Sequence, residues 1–311
     1  MFRRSSITVL ILACVGALAG CASPAQGEID RGKELLSADK REEAFVAFDA
    51  AVRLDPENAV ALAGRGCSRP MIDNALALAD LDRAITLDAK SGDGFRCRAE
   101  AHRVAGDRDA ALADAKKAIE LEPAHAYTHV TLGNVLDEMG QTAEAVKEYD
   151  RAIELEPTLA NAYNQRSIAR SRLGDEAGAS ADVDKAIELD PEYGAAYANR
   201  ATDALFKGDC KKALADAERA IALDPEFPAA YGPRALCRGD AGDLDGALAD
   251  ADKAIALGRT DAFAFWVRGL VRAERGDDAE ARTDLLRAID LAPTAEFAAD
   301  IRAVMTEFGL D

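Results

Sequence analysis

Histidine and cysteine are the residue types here best able to hold a metal or attack a substrate, and the chain has three of the first and six of the second. His125 and His129 stand four apart, a spacing that puts two imidazoles on one helical face within reach of a single ion. His129, however, falls in a position that carries Phe95, Tyr163, Tyr197, Tyr231 and Phe265 elsewhere in the chain, so it reads as a packing residue. His102 also occupies a packing position. Cys67, Cys97, Cys210 and Cys237 show no CxxC spacing and have no histidine cluster beside them, which argues against zinc. No GxSxG, HExxH, phosphate-loop or dinucleotide fingerprint occurs. The sequence therefore predicts no catalytic residue, no metal, no cofactor and no small-molecule substrate.

The elements that would position any site repeat along the chain. Gly208–Pro225 (GDCKKALADAERAIALDP) recurs with small edits at Gly106–Pro123, Gly140–Pro157, Gly174–Pro191, Gly242–Arg259 and Gly276–Pro293. Pro123, Pro157, Pro191 and Pro225 are 34 residues apart, and the beat extends back to Pro56 and Ala89 and on to Arg259 and Pro293. Eight repeats result: 28–56, 57–89, 90–123, 124–157, 158–191, 192–225, 226–259 and 260–293, each read as helix, turn, helix. One first-helix slot is always small (Gly32, Gly66, Ala99, Gly133, Ser167, Ala201, Ala235, Gly269), as a close helix contact requires. Two second-helix slots seven apart are alanine in every repeat, from Ala44 and Ala51 to Ala281 and Ala288. Gly106, Gly140, Gly174, Gly208, Gly242 and Gly276 suit a left-handed helix end. Asp107, Asp175, Asp209, Asp243 and Asp277 follow where they can cap the next helix.

Arg65, Arg98, Arg166, Arg200, Arg234 and Arg268 share one first-helix slot, and Asp80, Asp114, Asp182, Asp216, Asp250 and Asp284 share one second-helix slot. Repeated Arg–Asp pairs between the helices are expected, with Leu132 and Glu148 as the exception. The second repeat is the weak one, one residue short, without the turn glycine and with Pro70 near its first helix end. Gly232-Pro233 should kink the first helix of the seventh. Residues 294–311 carry Phe297, Ile301, Val304, Met305 and Phe308, a pattern that suits a capping helix.

This period, with His129-x2-Leu132-Gly133-x2-Leu136, Ala145-x3-Tyr149 and Pro157, resembles the tetratricopeptide repeat. The resemblance implies an all-α fold, a right-handed superhelix of about eight repeats whose first helices line a concave groove that binds a peptide or protein. Inward slots then hold Asn134, Asn161, Asn164, Gln165 and Asn199, and near the C-terminal end Leu236, Phe263, Trp266 and Leu270. Asn199 is similar to the family's peptide-binding asparagine and Asn134 matches another clamp position, but the clamp's paired lysines are missing. Trp266, the sole tryptophan, suits either a binding hot spot or packing against its neighbours.

Residues 1–20 read as a targeting leader. Arg3 and Arg4 precede an apolar run from Ile7 to Leu18 that is short for a membrane span. Leu18-Ala19-Gly20-Cys21 resembles a bacterial lipobox, which implies a signal peptide of 1–20 and a lipidated Cys21 carrying diacylglyceryl and an N-acyl chain such as palmitate. Three chains would make a lasting anchor. No Asp follows Cys21, which favours the outer membrane facing the periplasm. Ser23–Gly27 reads as a linker of at most about 20 Å. An oxidising periplasm permits disulfides between Cys67 and Cys97 and between Cys210 and Cys237, free buried thiols being the other reading.

The formal charge of −18 becomes −20 once Arg3 and Arg4 are lost, a surface that repels nucleic acid. The acid excess reads as a solvated face or as attraction for basic partners. Together these features predict a non-enzymatic, lipid-anchored scaffold or adaptor in cell-envelope assembly. The alternatives are an accessory subunit of a peptidoglycan hydrolase or transferase, and an architectural subunit of a secretion or pilus complex.

Overall fold

The computed structural model of the chain describes residues 23–38, 40–69, 74–258, 262–292 and 294–310. The leader, Cys21, Pro70, Arg259 and Pro293 lie outside them. All regular structure among the described residues is helical, and the chain divides into two compact units, Met1–Leu121 and Glu122–Asp311.

The N-terminal unit holds α1 (Pro24–Ser37), α2 (Arg41–Leu54), α3 (Ala59–Ser68), α4 (Asn74–Leu87), α5 (Gly92–Val104) and α6 (Arg108–Leu121). The C-terminal unit holds α7 (Ala126–Glu138), α8 (Thr142–Leu155), α9 (Ala160–Arg172), α10 (Glu176–Leu189), α11 (Gly194–Phe206) and α12 (Cys210–Leu223). It continues with a 3-10 turn (Pro228–Ala230), α13 (Tyr231–Asp240), α14 (Leu244–Ala256), α15 (Ala262–Arg275), α16 (Asp278–Asp290) and α17 (Ala295–Glu307). Each odd-numbered helix through α15 packs on the even-numbered helix after it, and α17 packs on α16.

The turn chemistry works as the sequence implies. The six turn glycines have φ between 75° and 85°, where a side chain would be strained. Asp107, Asp175, Asp209 and Asp243 each accept a backbone N–H three residues on, at 3.0–3.1 Å. Asp277 does not cap; its carboxylate lies 3.3 Å from Arg275 Nε instead. The two alanine slots are buried in all eight repeats, and so is the small first-helix slot.

Two readings change. Ser23–Gly27 is not a linker, because α1 begins at Pro24. Ser23 Oγ accepts the Gln26 N–H at 3.1 Å, and proline suits the first helical position, whose N–H has no intrahelical acceptor. Nor does Pro233 sit in a kinked helix. The seventh repeat's first helix opens as a 3-10 turn, and α13 starts only at Tyr231, which leaves Pro233 in the first turn, where its missing N–H has no intrahelical acceptor to lose.

The Arg–Asp pairs form in all six predicted repeats. In each, Nε and Nη2 of the arginine donate to the two carboxylate oxygens of its own repeat's aspartate, as in Arg166–Asp182 at 2.8 and 2.6 Å and Arg200–Asp216 at 2.7 and 2.7 Å. A third arm was not foreseen. Nη1 of Arg65, Arg98, Arg166, Arg200 and Arg268 reaches an aspartate on the preceding repeat: Asp49, Asp82, Asp150, Asp184 and Asp252. One guanidinium thus joins three helices. Four of these five, all but Arg65, also stack on the aromatic residue three positions before them, as Arg98 does on Phe95 and Arg166 on Tyr163, both at 5.4 Å. In the fourth repeat Glu148 takes His129 as its partner, with Oε2 2.7 Å from Nδ1. His129 Nε2 lies 3.2 Å from the Pro123 carbonyl, a contact repeated by the Tyr231 hydroxyl on Pro225. His129 therefore packs in its slot as expected, while its pairing with Glu148 goes beyond that expectation, and both its nitrogens are engaged. His102, expected to pack, lies with Nε2 3.8 Å from Asp114, in the slot where Arg170, Arg238 and Arg272 add a second cation to their aspartates.

Candidate partner-binding face

Successive first helices of the C-terminal unit pack on one another, so α7, α9, α11, α13 and α15 form one continuous face. It carries two different chemistries.

At its N-terminal end the predicted amides are joined into a single network. Asn134 Oδ1 accepts from the Tyr149 hydroxyl and from Gln165 Nε2, both at 2.9 Å. Gln165 Oε1 accepts from Asn164 Nδ2 at 3.3 Å, and Asn164 Oδ1 accepts from Asn199 Nδ2 at 2.7 Å. Asn161 Nδ2 donates to the Tyr193 hydroxyl at 3.0 Å. Asn164 is only 2% exposed, so it braces the network from inside and does not offer itself to a partner. Among the described residues Asn134 Nδ2, Asn161 Oδ1 and Asn199 Oδ1 keep no protein partner, and none is buried away from solvent. An amide fixed through one atom and open at the other is preorganised to donate to, or accept from, an extended backbone.

At the C-terminal end the face turns aromatic. Phe263 lies 5.5 Å from Trp266 between ring centroids, and Trp266 lies 5.9 Å from Phe297 of α17. Phe206, at the end of α11, meets Phe263 at 6.4 Å and is 70% exposed. Phe263 comes close to α13 because Gly232 has no side chain; a Cβ there would sit 2.7 Å from its ring. Leu236 packs with Phe263 and Trp266 on Ala235, Ala251 and Val267, and Leu270 is half-buried. Trp266 also lies against the cluster of Leu285, Ile301 and Met305 that α17 closes, so it is at once packed and partly open. Phe308, counted in the sequence with the cap's apolar residues, stays 37% exposed.

Phe206 and Phe297 are the residues sequence reasoning missed on this face. Phe206 was detectable: it fills a slot held by Arg172, Asp240 and Glu274 in neighbouring repeats, and a phenylalanine among charges stands out. Glu274 lies across Gly239, with Oε2 3.3 Å from where a Cβ there would sit. Partial burial and the nearby charge of Asp240 push its carboxyl above the usual range.

Both cysteine pairs are bonded, Cys67–Cys97 tying α3 to α5 and Cys210–Cys237 tying α12 to α13, with Cα atoms 5.2 and 5.3 Å apart. No helix among the described residues is long and apolar enough to cross a membrane.

Family models described as tetratricopeptide repeat match residues 160–193, 198–262 and 238–296, and one described as TPR repeat matches 133–174. No curated protein matches the chain. Among solved structures, the Cut9–Hcn1 hetero-tetramer of the APC/C is similar over 91% of this chain, with a TM-score of 0.74 and 15% identity. The match spans only 56% of that chain. The human IFIT1 dimer with PPP-AAAA is similar over 87% of this chain and 73% of its own, with a TM-score of 0.64 and 17% identity. A tetratricopeptide repeat protein from Parabacteroides merdae is similar over 91% of this chain and 98% of its own, with a TM-score of 0.53 and 17% identity. At these identities the likeness is one of fold.

Proposed function

Because the chain belongs to the tetratricopeptide-repeat family, we propose that it is a non-enzymatic scaffold that holds a segment of a partner protein on the first-helix face of its C-terminal unit. The observation that carries this reading is the preorganised face itself. A row of amides is locked side chain to side chain with outward atoms to spare, and it continues into a partly open aromatic row. Backbone-directed polar contacts beside an aromatic anchor are how short segments are gripped. Affinity capture with crosslinking should recover a partner on wild type and lose it on a Phe206→Ala, Trp266→Ala double variant whose circular dichroism remains helical. A partner kept equally by that folded variant would move the contact off this face.

The scaffold is further proposed to be lipid-anchored at Cys21, on the outer membrane facing the periplasm, and to serve cell-envelope assembly. The leader pattern supports the anchor, and the two disulfides suit an oxidising compartment. Since α1 starts at Pro24, the folded body would begin within three residues of the acyl chains. Metabolic labelling with a fatty-acid analogue should mark the wild-type chain and leave Cys21→Ser unmarked and released from membranes; equal labelling of both would remove the anchor.

A further inference from the structure

The charges around the aromatic row are unevenly satisfied. Every arginine of α11, α13 and α15 is already committed to a carboxylate. Arg200 pairs with Asp216, Arg234 and Arg238 with Asp250, Arg268 and Arg272 with Asp284, and Arg275 with Asp245. Lys207 is held by Asp203 at 2.7 Å. Two carboxylates are left over. Asp240 and Glu274 have no cation among the described residues, and they sit close enough for Asp240 to raise the Glu274 carboxyl further.

Their placement matters more than their number. Phe263, Trp266, Leu270 and Glu274 fall at intervals of three and four along α15, which is one stripe of a helix. Leu236 and Asp240 continue the same stripe on α13. Phe206, Asp240 and Glu274 are 34 residues apart, so they are the same slot in three successive repeats. The aromatic row therefore ends against an uncompensated pair of negative charges. At 1.5 Å per residue the Trp266-to-Glu274 span is about 12 Å, the length of three or four extended residues.

We propose that this end of the face recognises a partner segment in which a bulky apolar side chain, seated on Phe206, Phe263 and Trp266, is followed within a few residues by lysine or arginine that meets Asp240 and Glu274. This rests on the scaffold reading above and names its ligand. The carboxylate pair is solvent-exposed and bonded to no cation, so it contributes to no internal ion pair; a partner's cation relieves the repulsion between the two groups. The charge of the occupant is thereby fixed as positive, and its anchor as apolar.

Trp266 is the sole tryptophan, so its emission reports from the site itself. The full chain is titrated with three capped hexapeptides, KKLFKK, QQLFQQ and EELFEE. KKLFKK should shift the emission and bind at least tenfold more tightly than either of the others in 50 mM salt. It should weaken about tenfold on going to 300 mM salt, where the screening length shortens to several ångströms. Asp240→Asn with Glu274→Gln, both at exposed positions and checked by circular dichroism to remain helical, should cost about tenfold in KKLFKK binding and leave QQLFQQ unchanged. Phe206→Ala should weaken both peptides.

If KKLFKK binds the Asn/Gln double variant as tightly as wild type, the attraction is to the general charge of −18 and the proposal fails. If QQLFQQ or EELFEE binds as tightly as KKLFKK, the basic requirement is wrong while the scaffold reading stands. The same holds if no peptide moves the emission at millimolar concentration but partner capture still depends on Phe206 and Trp266. If capture too is indifferent to them, both readings fall.

Discussion

Replacing Asp182 by alanine is expected to cost about 3–5 kcal/mol, as removing one partner of a buried charge cluster does. Asp182 is 4% exposed and accepts three bonds, from Arg166 Nε and Nη2 and from Arg170 Nη1 at 2.7 Å. Without it two guanidinium groups lose their only buried counter-charge. The neighbouring arm is a contrast. Arg166 also bonds Asp150 at 2.6 Å, but that carboxylate is 45% exposed, and water and salt screen it. Asp150→Ala should cost less than about 1 kcal/mol. Urea unfolding followed by helical circular dichroism separates the two. Adding Arg166→Met and Arg170→Met to Asp182→Ala should restore part of the loss, because the deficit is the orphaned charge and not the missing bond. Equal costs for Asp182→Ala and Asp150→Ala would mean that burial does not decide which arm holds the repeat together.

A second large effect is expected where first and second helices touch. At the small slot, Gly133 faces Tyr149, and a Cβ on Gly133 would lie 2.5 Å from Cε1 and 2.8 Å from Cδ1 of that ring. Tyr149 is 1% exposed and cannot swing into solvent. Gly133→Ala should therefore cost about 1–3 kcal/mol through overpacking. Tyr149→Ala alone should cost about 3–5 kcal/mol through the cavity it leaves. Together they should cost clearly less than the sum, because the alanine fills part of what the tyrosine vacates. Thermal melts of the four proteins measure the coupling, and strict additivity would sink the account. The sixth and seventh repeats show that the small pair is viable: Ala201 with Ala217 and Ala235 with Ala251 are all buried.

That pairing is visible in the sequence only when two slots are compared. The small slot and the slot sixteen residues later exchange volume: Gly32 with Phe48, Gly133 with Tyr149 and Gly269 with Leu285, against Ala99 with Ala115. Taken one slot at a time, the first column shows only that a small residue is needed. The period, the alanine faces, the turn glycines and the Arg–Asp pairs were legible because each is a local rule repeated many times. The third arginine arm was not, since it depends on which second helix abuts the guanidinium from the repeat before. Ser23-Pro24 has the composition of a linker and also the signature of a helix start, and only the bond from Gln26 decides between them. On the candidate face, Asn161, Asn164 and Gln165 lie within five residues of one helix, and a rotation of 100° per residue sends Asn164 inward while its neighbours stay at the surface. Phe297 joined the aromatic row from α17, beyond the last repeat, where no periodic slot could place it.

The volume exchange between paired helices bears on how such an array can be rearranged by recombination. A crossover between two repeats leaves each Gly–Tyr, Gly–Leu or Ala–Ala couple intact, because both members lie within one 34-residue block. A crossover inside the turn of a repeat divides the couple. Joining the Ala201 helix to the Tyr149 helix drives a methyl group into a ring, and joining the Gly133 helix to the Ala217 helix opens a void the size of a phenol. The unit of inheritance in this protein is thus the whole helix pair, and the turn glycine between its two halves marks a place where the chain is easy to bend but costly to splice.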